Sequence, residues 1–483
     1  MSEGRARAAA AANASVAAAP EEEAEAEASG RPFVVPLRRE AVPVIRGGKA
    51  TSYKSAYFGT ISLGSGPAPQ EFSVVFDTGS GHVVVPSTEC QSEACATRRL
   101  YNLSASEGAV AIHSDGEPVP DDELGEQVTI GFGTGTVVGE FARDTVCAGA
   151  APAARRGRGP NASRMCAQLS VVMAVEMSAQ PFKSFSFDGL FGLGLSSLAL
   201  SPQFSFFEQL AAGGRAAPML PQFAIYLARG DTTAAASAAG EIAIGGRNAA
   251  RFEGPLAWAP VVAPQQGFWQ VEVQAIRIDG VELPTCKAKG KKDGCRAILD
   301  TGTSHLGIPK RHISSFTEQL SALAPPSPGG AEEAADCRQA TAPTLSIDIG
   351  SVTIELQPED YMRPDPLAAT TPKASSRKEL ANVAATAGQN SMCKPRLMPV
   401  SLQAPLGPNL FILGEPVLQR YYTVYDWKAQ RVGFGKAKAP EAALALPDPA
   451  APPEYPGDEA FGDDDHPEMV ILMQVTLTLK LAA

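Results

Sequence analysis

Positive charge is scarce in this sequence. Across 483 residues, 41 Lys and Arg stand against 52 Asp and Glu, a formal net charge of −11. The basic face that nucleic-acid binding needs is therefore not expected. Histidine is rarer still, with 5 residues, and none clusters with cysteine at ligand spacing. No Cys-x-x-Cys occurs, so no metal site is expected. Sustained helical periodicity is missing as well: only Phe204 to Leu210 and His312 to Leu323 read as short helices. Long apolar runs are absent. The apolar stretch Met469 to Leu481 has 13 residues with Lys480 inside, too short to span a bilayer; it reads as a truncated anchor or as a segment with no assigned role. Charged residues make up only 19% and hydrophobic ones 44%, which excludes a wholly disordered chain.

What is abundant is Gly (45) and Pro (40). With few helical segments, that predicts many short strands joined by turns, an all-β class. The length allows two domains or more. Eight cysteines fall into four local pairs: Cys90 with Cys95, Cys147 with Cys166, Cys286 with Cys295, and Cys337 with Cys393. Each pair brackets a polar loop, which favours disulfides and an oxidising compartment over reduced cytosolic thiols. Asn13, Asn102 and Asn161 begin Asn-x-Ser sequons, compatible with secretion.

One stretch organises the rest. Phe72-Ser-Val-Val-Phe-Asp77-Thr-Gly-Ser-Gly-His-Val-Val-Val-Pro86 reads as a buried strand, a tight loop with one carboxylate, and a second buried strand. The pattern returns as Arg296-Ala-Ile-Leu-Asp300-Thr-Gly-Thr-Ser-His-Leu-Gly-Ile-Pro309. Two such loops predict two similar lobes, each presenting an Asp to a shared cleft. Facing carboxylates cannot both ionise easily, so over a wide acid range the pair holds one proton, a general property of such dyads. One carboxylate then takes a proton from water while its partner donates to a substrate carbonyl. The neighbours suit that arrangement. Gly79 and Gly302 allow the tight turn. Thr78 and Thr301 are placed to hydrogen-bond across the loops, and Ser80 and Thr303 to donate to the carboxylates.

Along the chain, residues 1–31 are Ala- and Glu-rich and read as disordered or as a weak leader. Residues 32–52 change to Phe33-Val-Val-Pro-Leu-Arg-Arg39, either an inhibitory pro-segment or an ordinary first strand. Residues 53–245 form the first expected lobe and 246–436 the second, followed by a Pro- and Asp-rich tail over 437–483. A new strand series starts near Trp258 and runs through Phe268 to Ile278. Arg155-Arg-Gly-Arg158 is a basic loop. Gly131-Phe-Gly-Thr-Gly135 misses both phosphate-loop spacings and reads as a hairpin tip, so no nucleotide cofactor is expected. No Gly-x-Ser-x-Gly surrounds a candidate Ser nucleophile.

On these residues the chain resembles the pepsin-like aspartic endopeptidases over roughly Tyr53 to Lys436. Asp77-Thr-Gly-Ser and Asp300-Thr-Gly-Thr-Ser match the two catalytic signatures, and Leu190-Phe-Gly192 and Ile412-Leu-Gly414 the segments threading behind them. Tyr421-Tyr-Thr-Val-Tyr-Asp426 matches the closing strands. The resemblance implies a bilobal all-β acid-protease fold with the cleft between pseudo-symmetric lobes, and catalysis by Asp77 and Asp300. It also implies a flap over the cleft carrying Phe132, Gly133 and Thr134. Three cysteine pairs fall where the family has disulfides; Cys147/Cys166 is an addition. Protein or peptide substrates, a monomer and a secretory location (extracellular, lysosomal or vacuolar) follow as expectations.

Two departures stand out. The family's flap Tyr and the Trp after the first Asp are replaced here by Phe132 and Val84. Losing both partners of one polar contact can be nearly neutral, so a dry, repacked flap base is expected. A His also stands five residues after each Asp, His82 and His305. Packed loop histidines are the simpler reading; the sharper one has protonated imidazoles adding positive charge near the carboxylates at acid pH. The competing function is a binding or inhibitor protein with a dead cleft on the same fold, but both Asp, both Thr, both Gly and both hydroxyl neighbours are present.

Overall fold

The computed structural model of the chain describes residues 31–46, 49–132, 135–151, 165–213, 219–229, 239–286, 294–323, 336–364, 392–438 and 473–478. Residues 1–30, the basic loop 155–158 and flap residues Gly133 and Thr134 lie outside these.

Strands dominate, as the turn-rich composition predicts. The two expected helices form, over Phe206–Ala212 and Ile313–Leu320. The first lobe is built around strand Gln70–Asp77, which pairs in parallel with Gly189–Gly192. Gly189–Gly192 pairs antiparallel with Val83–Pro86, which in turn runs parallel to Cys166–Met177. The second lobe repeats the pattern. Cys295–Leu299 is parallel to Leu410–Leu413, that strand is antiparallel to Leu306–Pro309, and the latter is parallel to Leu397–Val400. Each lobe thus threads one strand between the two arms of its Asp-bearing loop. The result is a bilobal pepsin-like all-β fold.

The threading strands explain two glycines. A Cβ on Gly192 would stand 2.4 Å from His82 N, and one on Gly414 would stand 2.3 Å from the carbonyl oxygens of Thr303 and His305. Backbone meets backbone there, so no side chain can move aside.

The lobes share a floor. Strands Phe252–Pro260, Arg431–Ala437, Tyr421–Asp426, Gln222–Leu227, Gly240–Ile244 and Phe33–Arg46 follow one another as hydrogen-bonded neighbours. The expected boundary near residue 245 therefore falls within a sheet drawn from both lobes. Phe33–Leu37 pairs with Gly240–Ile244, and Arg38–Arg46 with Lys49–Leu63. Phe33–Arg46 is thus a strand of this sheet, a placement that suits either a first strand or a pro-segment still in place. Above the floor, Phe223 stacks between Phe207 at 4.8 Å and Tyr425 at 4.6 Å. The fully buried Trp269 meets Phe223 and Tyr425 edge-on and donates its indole N–H to Leu193 O at 2.8 Å. These aromatics weld the lobes directly beneath the Asp loops by burying large apolar area.

The strand series through Phe268 to Ile278 contains two strands in different sheets. Gln270–Val273 pairs with Cys295–Leu299, whereas Ala275–Ile278 pairs with Leu345–Ile349 in another sheet. The chain changes sheets at Gln274, whose N–H bonds Asp348 O. The apolar alternation shifts phase there, from Val271, Val273 and Ala275 to Ile276 and Ile278, which is the switch's trace in the sequence.

All four cysteine pairs are disulfides, and no cysteine is free. Cys147 and Cys166 face each other across a strand pair and cross-link it. Among the described residues no helix is long and apolar enough to cross a membrane, and no group of side chains fits a metal ion.

Candidate active site

Asp77 ends its strand and Asp300 directly follows Leu299; both are fully buried. In each loop the glycine two residues on donates its N–H to the Asp: Gly79 to Asp77 Oδ1 at 2.9 Å and Gly302 to Asp300 Oδ1 at 2.8 Å.

The threonines between them lock the loops together. Thr78 N–H donates to Thr301 Oγ1 and Thr301 N–H to Thr78 Oγ1, both at 3.0 Å. Each hydroxyl then donates into the other lobe, Thr78 to Leu299 O at 2.8 Å and Thr301 to Phe76 O at 2.6 Å. Four buried bonds related by a pseudo-dyad hold the two carboxylates in one frame. Two of the four end on main-chain carbonyls of the Asp-bearing strands, those of Leu299 and Phe76.

The hydroxyl neighbours are not equivalent. Thr303 Oγ1 donates to Asp300 Oδ2 at 2.5 Å. Ser80, expected to do the same for Asp77, does not: among the described residues Asp77 Oδ2 and Ser80 Oγ both lack a hydrogen-bond partner. Burial raises the pKa of Asp77 well above the ordinary carboxylate range, and the adjacent Asp300 charge adds to this. The Ser80 hydroxyl lies near enough to favour the charged form, but not in bonding geometry. Burial raises Asp300 too, opposed by Thr303 and the Gly302 amide. Donors to a carboxylate favour its ionised form, so Asp300 is the better-supported anion and Asp77 the better holder of the shared proton.

The two histidines are packed residues. His82 is 1% exposed; its Nε2 accepts Leu200 N–H at 3.0 Å and its ring meets Phe204 edge-on. His305 is buried as well. Burial lowers each pKa to about 3, with the Arg396 charge adding to this at His305. Above that pH both are neutral, so the sharper expectation of two imidazolium charges beside the carboxylates is not met.

Val84 is 2% exposed, in an apolar cluster with Val128 and Ile130 of the strand expected to form the flap. The flap hairpin pairs Gln127–Phe132 with the start of Gly135–Ala148, closing with Phe132 opposite Gly135.

Sequence reasoning missed a buried polar hub behind the second Asp loop. Glu415, directly after the threading strand, accepts from Arg39 Nε at 3.0 Å, Tyr57 Oη at 3.2 Å, Gln419 Nε2 at 2.8 Å and Arg396 Nη2 at 2.5 Å. Ser55 Oγ also donates to it. Ser55 N–H in turn donates to Ser304 Oγ at 2.9 Å, and Ser304 Oγ to Ser55 O at 2.8 Å. The only sequence signal was a carboxylate, Glu415, placed between Gly414 and Pro416 at the end of an apolar run.

Two β lobes joined by a common sheet, with one buried Asp from each at the seam, define an aspartic-type endopeptidase. A family model for eukaryotic aspartyl protease matches residues 56–437. Cathepsin E of Mus musculus is 30% identical over 382 residues, covering 79% of this chain and 80% of its own length. Cathepsin E of Aquarana catesbeiana is 30% identical over 379 residues, covering 78% of each chain. Gastricsin of Homo sapiens is 28% identical over 390 residues, covering 79% of this chain and 82% of its own. The chain belongs to the eukaryotic aspartyl protease family.

Proposed function

We propose that this endopeptidase works at acid pH with Asp300 as the base and Asp77 as the proton holder. The observation that supports these roles is the unequal hydrogen bonding of two equally buried carboxylates. Asp300, with Gly302 and Thr303 donating to it, takes a proton from a water lying between the carboxylates. The water oxygen attacks the peptide carbon as Asp77 donates its proton to the carbonyl oxygen. The tetrahedral intermediate collapses as a proton passes to the leaving nitrogen, and no covalent enzyme intermediate forms. The threonine lock keeps both carboxylates within reach of one water, which is the orientation such a reaction needs.

Phe132, Gly133 and Thr134 form the flap that covers an extended protein or peptide substrate, with Phe132 and Val84 replacing a polar contact by an apolar one. The enzyme acts as a monomer along the secretory route. The complete pairing of its eight cysteines supports an oxidising compartment. Arg39 lies on the first strand and bonds Glu415 behind the Asp300 loop. Removal of that strand as a pro-segment would therefore reorganise the hub. N-terminal sequencing of the protein from its source reveals whether residues 32–46 are retained.

The test is digestion of a denatured protein at about pH 3–5, where one proton is shared, with and without pepstatin. Cleavage blocked by pepstatin supports the reading. Absence of cleavage by correctly disulfide-bonded protein would favour the binding-protein alternative.

A further inference from the structure

The flap strand Gln127–Phe132 has two neighbours. On one side it pairs with Gly135–Ala148; on the other it pairs antiparallel with Met473–Thr478, a segment far outside both lobes. This is the apolar stretch near the end of the sequence to which the residues alone assign no role. Its core, Met473-Gln-Val-Thr-Leu-Thr478, alternates apolar and polar residues, the period of a strand. The register sets Met473, Val475 and Leu477 opposite Phe132, Ile130 and Val128, so apolar positions coincide on both strands. Without this segment, Gln127–Phe132 would be the last strand of its sheet, with a row of unpaired main-chain donors and acceptors. Such an edge accepts any extended segment of suitable pattern.

We infer that the outer edge of the flap hairpin is a strand-docking surface, that residues 473–478 of this chain occupy it, and that the docked strand restrains flap opening. The inference rests on reading 127–135 as the flap of a protease. Residues 439–472 connect the docked strand to the second lobe. At up to about 3.3–3.6 Å per residue they can span the molecule, so the strand is presented to the flap at high effective concentration. A flap must move to admit substrate and release product. With a third strand hydrogen-bonded along its outer side, it must carry that strand along or shed it. The docked segment thereby lowers the rate of productive entry without touching the carboxylates.

The test compares full-length wild type with a Val475→Pro/Leu477→Pro variant. Proline removes a main-chain donor and does not suit a paired strand, and neither position belongs to the lobes, so folding is preserved. Hydrogen exchange at residues 127–132 and kcat/KM are measured in both. The expected result is lost protection at 127–132 and a severalfold rise in kcat/KM, both reversed by excess synthetic peptide of residues 469–481. Unchanged protection overturns the inference, as does lost protection with an unchanged or lower kcat/KM. If neither protein cleaves substrate but protection still falls in the variant and returns with the peptide, docking stands and the proteolytic reading fails instead.

Discussion

Arg396 Nη2 and Glu415 Oε2 meet at 2.5 Å with both side chains almost fully buried. The pair anchors the second Asp loop from behind. Arg396 also donates to Ser304 O, and its own carbonyl accepts Leu306 N–H. Burial alone would raise the Glu415 pKa, but the Arg396 and Arg39 charges and the Ser55 hydroxyl outweigh it and hold the carboxyl well below its usual range. Glu415 thus stays ionised at the acid pH proposed for activity.

Glu415→Gln should therefore be costly. It leaves the buried Arg396 guanidinium without its counter-charge, a change worth about 3–5 kcal/mol in comparable sites, and weakens the half-buried Arg39 contact as well. Chemical denaturation at neutral pH measures the loss. A depressed folded pKa adds stability that is complete above the ordinary carboxylate range and declines as pH falls below it. The gap between wild type and variant should accordingly narrow on acidification.

The histidines push stability the same way with pH, over a different window. Their ordinary pKa of 6.5 falls to about 3 on folding, so the unfolded chain binds more protons between those values. Stability should fall as pH drops from 6.5 to about 3 and level off below. His82→Gln, whose amide oxygen can accept Leu200 N–H, should flatten the pH dependence of Tm over that window. The acid limb of the pH–rate curve should not move; a shifted limb would restore an electrostatic role for His82.

The unequal support of the carboxylates gives a pair of contrasting variants. Thr303→Val removes the hydroxyl that donates to Asp300 Oδ2, so the Asp300 pKa rises. The acid limb of kcat/KM should move to higher pH, with kcat reduced. Ser80→Ala removes a hydroxyl that makes no hydrogen bond to Asp77, and should shift the limb less. Equal shifts would contradict the asymmetry.

At the flap base, Val84 and its buried neighbours Val128 and Ile130 offer no side-chain polar partner. Phe132→Tyr alone should leave kcat/KM no higher than wild type. A severalfold gain would mean that the flap base is not the apolar contact inferred.

What was legible in the sequence was local. Asp77 and Asp300 announce themselves because each sits between a buried strand and a three-residue turn. Gly192 and Gly414 are legible because a motif surrounds them. The Glu415 hub was not, since Arg39 and Ser55 approach it from the other end of the chain, and neither shows a pattern by itself. The difference between Ser80 and Thr303 depends on hydroxyl orientation, which residue type cannot specify. The sheet switch at Gln274 leaves only a phase shift between Ala275 and Ile276, which does not say what the second strand pairs with. The partner of Met473–Thr478 was hidden because pairing with a distant edge leaves only the strand period behind.

The central claim is that Asp77 and Asp300 act as one unit sharing a proton. The most direct measurement is cleavage of a denatured protein between about pH 3 and 5 by wild type and by Asp77→Asn, with matched disulfides and thermal unfolding. The account predicts a wild-type rate that falls away at both ends of that range and no detectable turnover by Asp77→Asn. Equal cleavage by the two proteins would contradict it.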